Sequence, residues 1–104
     1  MISDTRAEAA LRYLAETDEA CANAKAEMER AEFKCKVTKQ TIFRHSEGTV
    51  AERNALADTS EFVLTAHEDY CAAMATYSHF ANKRETERIV LDTWRTICAN
   101  RRQG

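Results

Sequence analysis

Proline is missing altogether from this chain, and glycine stands at only two of its 104 positions, Gly48 and Gly104. Nothing therefore interrupts helical backbone over long stretches, and a glycine-rich phosphate cradle of the kind that holds nucleotides is excluded. No apolar run approaches the ~20 residues needed to cross a bilayer, and no secretory-type hydrophobic segment opens the sequence. A cytoplasmic protein with no membrane partner is the expectation. Charge of one sign is also missing: 15 basic residues face 17 acidic ones, a formal net charge of −2. That balance argues against a generic polyanion binder, which is strongly basic, and is too mild to mimic DNA. The four cysteines, Cys21, Cys35, Cys71 and Cys98, lack a CxxC pair or zinc-like spacing. They read as reduced thiols that behave as small apolar residues. No metal, cofactor or catalytic residue is expected.

What the chain does contain is helix-forming sequence. Every seventh residue from Ala7 gives Ala7, Leu14, Cys21, Met28, Cys35 and Ile42. Three positions after each comes Ala10, Thr17, Ala24, Ala31 and Thr38. The register never slips, so the stretch predicts one long amphipathic helix from about residue 5 to residue 44, opened by a Thr5-x-x-Glu8 capping box. The small second positions let a neighbouring helix approach closely. Turn chemistry follows over residues 45–49. Gly48 suits the left-handed conformation that ends a helix, and Thr49 with Glu52 forms a capping box that starts the next one. A further cap signal, Asp58 with Glu61, predicts a short helix over about 50–57, a break, and a long helix over about 60–100.

The last helix carries a wide stripe of Phe62, Val63, Ala66, Tyr70, Ala73, Met74, Tyr77, Phe80 and Ala81. The stripe nearly vanishes over Lys83–Arg88, then returns at Ile89 and continues with Leu91, Trp94, Ile97 and Cys98. Large residues here would pack into the alanines of the first helix. Charge favours antiparallel pairing. Asp4, Glu8, Glu16, Asp18 and Glu19 would lie beside Arg84, Arg88, Arg95, Arg101 and Arg102, while Lys34, Lys36, Lys39 and Arg44 would face Glu47, Glu52, Asp58 and Glu61. The expected fold is all-α: a single domain over 1–104, a long antiparallel helical hairpin with a short helix after the turn. Its aromatic stripe is wider than one partner covers, so self-association into a helical-bundle oligomer, most simply a dimer, is expected; the alternative is that the short middle helix folds back to make a monomeric three-helix bundle.

Candidate contact residues are basic and aromatic. Arg84, Arg88, Trp94, Arg95, Arg101 and Arg102 combine cations with a ring, as phosphate contact and base stacking require, or they pair with the acidic first helix. Lys34, Lys36, Lys39 and Arg44, with Phe33 and Phe43, form a second basic face. His45, His67 and His79 read as solvated or capping side chains. No two are an i, i+4 ligand pair, and no two lie near a cysteine at a zinc-like interval.

Arg44 to Gly104 resembles small helical proteins of tailed phages and prophages encoded beside recombination and single-strand-annealing genes. The residues that carry the resemblance are Glu47-Gly48-Thr49-Val50-Ala51-Glu52-Arg53, the Ala57–Phe62 segment, Trp94-Arg95-Thr96 and Ala99-Asn100-Arg101-Arg102. The chain departs from that pattern in the middle, where His67, Tyr70, Cys71, Tyr77, His79 and Phe80 replace an expected Glu/Ala-rich helix. The resemblance implies a non-enzymatic accessory protein of DNA recombination or replication, acting through phage or host protein partners and single-stranded DNA. The alternative is a phage-encoded inhibitor of host defence of the anti-CRISPR type, which would occupy the surface of a nuclease complex.

Overall fold

The computed structural model describes residues 1–103. Three helices and no strand occur among them: α1 (Asp4–His45), α2 (Val50–Thr59) and α3 (Glu61–Gln103). The chain is all-α, two long helices with a short one between them.

The heptad of α1 survives in three dimensions. All eleven seam residues from Ala7 to Ile42 are buried or half-buried, because a 3-4 spacing keeps them on one face of the helix. Its start differs from expectation by one short step. The Ser3 hydroxyl, not that of Thr5, accepts from the Arg6 N–H at 3.1 Å, and the Ser3 carbonyl accepts from Ala7 N–H.

α3 carries a matching seam of Val63, Ala66, Tyr70, Ala73, Tyr77, Phe80, Arg84, Glu87, Leu91, Trp94 and Cys98, and each of these is buried or half-buried. The apparent gap at Lys83–Arg88 is therefore filled. Arg84 and Glu87 occupy seam positions and use polar contacts where the rest of the stripe uses apolar ones.

The turn follows the expected chemistry. Gly48 has φ of 114°, a region that costs an L side chain about 1–2 kcal/mol. Thr49 accepts from Glu52 N–H at 3.1 Å and donates to the Glu52 carboxylate at 3.2 Å. Arg53 reaches back from α2 and donates from Nε and Nη2 to the Phe43 carbonyl at 3.0 and 2.8 Å. Its guanidinium also lies 4.1 Å from the centre of the Phe43 ring. A cation on the last carbonyls of α1 suits the negative end of that helix.

The break between α2 and α3 is centred on Ser60, which is extended at φ −65° and ψ 136°. Its N–H bonds the Ala57 carbonyl, while its own carbonyl accepts from Leu64 N–H. Its hydroxyl accepts from Phe62 N–H at 3.3 Å. Ser60 thus closes one helix and opens the next. Asp58, the cap read from the sequence, lies inside α2 and pairs with Lys39 instead, at 2.7 Å.

Two compact units make up the fold: Met1–Ala22 with the chain from Ser78 on, and Asn23–Tyr77. In the first, α1 and α3 run antiparallel, since Asp4, Arg6 and Leu14 meet Trp94, Glu87 and Arg84 in that order. Its core is small: Ala7, Ala10 and Leu91, with Leu14, Val90 and Trp94 packed against them. The second unit holds α2 and the adjoining parts of α1 and α3, again antiparallel, with Ala24, Ala57, Val63 and Ala66 buried. No large side chain is fully buried among the described residues.

Candidate interaction surfaces

The C-terminal basic group divides into residues used within the fold and residues left outside it. Arg84 belongs to the first kind. Its Nη1 donates to the Leu14 carbonyl at 2.7 Å and to the Thr17 hydroxyl at 2.8 Å, and Nη2 lies 3.2 Å from Asp18. Only 14 % of its side chain is exposed. Trp94 donates from its indole N–H to Asp4 at 2.9 Å, which holds the ring against the small core. Arg88 and Arg95 make exposed pairs one turn back along α3, with Glu85 at 3.0 Å and Asp92 at 3.5 Å. Such pairs contribute little and leave both cations accessible. Arg101 lies 3.4 Å from the Met1 sulfur, and Arg102 is exposed. The six residues therefore do not form one open cationic surface.

Of the second basic face, Lys36 pairs with Glu32 at 3.0 Å, and the hydrogen bond to that carboxylate raises the lysine above its ordinary pKa. Lys39 is bound to Asp58, so both lysines are paired with carboxylates. Lys34 lines a shallow groove with Thr38, Phe62, Thr65, Ala66 and Asp69, and Arg44 is exposed.

Two features of unit structure escaped sequence reasoning. Glu87 is buried, with the Arg6 guanidinium 2.6 Å from its Oε2. No N–H is aligned on that oxygen as a hydrogen bond, so the contact is an ion pair across the seam. His67 and Cys71 stand one helical turn apart, with Nε2 and Sγ at 3.5 Å. Their i, i+4 spacing is readable from the sequence, but only when histidines are matched with cysteines as well as with one another.

The apolar surface is extensive. Phe33 is 70 % and Phe62 76 % exposed, and Leu11, Val37, Val50, Leu56, Leu64, Met74 and Ile89 are exposed too. Single exposed apolar residues are ordinary; here they are numerous beside a small buried core. No helix among the described residues is long and apolar enough to cross a membrane.

Comparison with known protein families, curated proteins and solved structures gives no match.

Proposed function

We propose that this chain is a non-enzymatic interaction protein that associates with a second copy of itself and acts through protein contacts. The uncovered apolar surface carries this reading: Phe33, Phe62, Leu11, Leu64 and Ile89 are exposed while the buried core is limited to small residues and Leu91 and Val63, and apolar surface of that kind marks contact sites. The role implied by the resemblance to small phage helical proteins, assisting recombination or replication, fits a protein that presents helical faces to partners. Direct contact with single-stranded DNA is the lesser part of that role. Arg84 and Trp94 are occupied by Leu14, Thr17, Asp18 and Asp4, which leaves the exposed Arg88, Arg95, Arg101 and Arg102 for phosphates.

A labelled single-stranded oligonucleotide, titrated with the protein at low and moderate salt, separates the two parts. Contact through the arginines predicts weak binding that falls steeply with salt and weakens further in the Arg101→Ala, Arg102→Ala double variant. Absence of binding at low salt would remove DNA from the proposal and leave protein contacts alone. Stable co-purification with a host nuclease complex would instead move the function to inhibition of defence.

A further inference from the structure

We propose that His67 and Cys71 are half of a binding site for a borderline-soft divalent cation, with zinc the physiological case, and that a second copy of this chain supplies the other half. The proposal rests on the self-association argued above and assigns it a face and a ligand.

The pair has the chemistry and the spacing. Imidazole nitrogen and thiolate sulfur are the two commonest zinc donors, at bond lengths of about 2.0–2.1 and 2.3 Å. In a tetrahedral site those bonds set the N···S edge at about 3.6 Å. His67 Nε2 and Cys71 Sγ already stand 3.5 Å apart, so a cation could be held without moving the backbone. The edge of the His67 ring meets Tyr70, with centroids 6.4 Å apart at 63°, which limits how the imidazole can turn. Sulfur excludes calcium and magnesium as the preferred ion, since both favour oxygen.

One chain cannot complete the site. Among the described residues, no three His, Cys, Asp or Glu side chains gather where they could hold a metal, whereas a closed zinc site needs four ligands. The surroundings point to where the other two come from. Leu64 is 52 % and Met74 39 % exposed, and residues 64, 67, 71 and 74 repeat the 3-4-3 spacing of a helix-packing seam. This second seam lies one residue beyond the core seam Val63, Ala66, Tyr70 and Ala73. α3 therefore has an apolar arc broader than one neighbouring helix covers. Pairing two copies of it about a two-fold axis puts His67 and Cys71 of each chain around one ion, with Leu64 and Met74 closing the ends.

The test uses metal-free, reduced protein titrated with Co²⁺ while absorbance and molar mass are followed. The proposal expects sulfur-to-cobalt charge transfer and tetrahedral d–d bands saturating at one ion per two chains, a dimer at saturation, and displacement of the cobalt by Zn²⁺. His67→Ala and Cys71→Ser should each abolish the bands; His67 is exposed and Cys71 half-buried, so both variants should keep the helix by circular dichroism. Leu64→Lys with Met74→Lys should abolish the dimer at saturation while keeping the helix. A dimer in EDTA that takes up no cobalt would overturn the metal site and leave self-association standing. A monomer both with and without metal would overturn both. Uptake of one ion per chain, or bands that survive Cys71→Ser, would show that the ligands are not these.

Discussion

Arg84 offers the sharpest test of how α1 and α3 are joined in the unit that contains the chain ends. Its guanidinium sits at a seam position and makes three contacts of very different worth. The bonds to the Leu14 carbonyl and the Thr17 hydroxyl, at 2.7 and 2.8 Å, are charge-assisted and shielded by a side chain only 14 % exposed. Bonds of that kind contribute about 1.5–3 kcal/mol each. Both acceptors keep other partners, however: the Thr17 hydroxyl donates to the Tyr13 carbonyl at 2.6 Å, and the Leu14 carbonyl remains within a helix. Arg84→Met, which keeps the length of the stem, should therefore destabilise by about 3 kcal/mol, the bottom of the range for two such bonds. In a domain of this size that lowers Tm by roughly 10–20 °C. The third contact, to Asp18, ends on a side chain that is 84 % exposed, so Asp18→Asn should cost under about 0.5 kcal/mol. Urea unfolding followed by circular dichroism measures both variants, at one fixed protein concentration because self-association would add to apparent stability. If Asp18→Asn proved as damaging as Arg84→Met, the surface ion pair and not the shielded hydrogen bonds would be the joint.

Three other perturbations follow from the same geometry. Arg53→Met removes both bonds to the Phe43 carbonyl and the contact with its ring, and should cost about 2 kcal/mol in urea unfolding; a loss below about 0.5 would mean the turn is held without it. Gly48→Ala forces a side chain into positive φ and brings its Cβ to 2.8 Å from the Glu52 carboxylate, so a loss of about 1–2 kcal/mol is expected, while Thr49→Ala should lose about 1 kcal/mol of capping. Arg6→Met strands the buried Glu87 carboxylate and should cost about 2 kcal/mol, reduced from the fully buried case because Arg6 is partly exposed. Adding Glu87→Leu to Arg6→Met should recover most of that loss, and a double variant no better than the single would contradict the ion pair.

The parts of this fold written in short-range patterns were legible in the sequence. The α1 seam, the left-handed Gly48 and the Thr49–Glu52 cap each depend on residues within one or two helical turns, and each is present. Contacts that join distant segments were harder to read. Arg84 and Glu87 break the apolar stripe because polar side chains at seam positions look, in one dimension, like exposed ones; only their neighbours on α1 distinguish them. The caps at Ser3 and Ser60 were assigned to Thr5 and Asp58, since several capping residues adjoin at both places and backbone geometry selects among them. The basic residues around Trp94 were legible as a cluster, but not as a group split between the fold and the solvent, because that depends on Asp4, Leu14, Thr17 and Asp18 lying alongside. The His67–Cys71 contact was readable from its i, i+4 spacing, but matching histidines only with one another hides it.

Sedimentation equilibrium of the wild-type chain, in EDTA and reductant and over a wide range of concentrations, bears most directly on the central claim that the uncovered apolar surface is an interface between copies. The account predicts a molar mass about twice the 11.8 kDa of one chain, falling toward that value only on strong dilution, as mass action requires. A single species of 11.8 kDa at every concentration would contradict it.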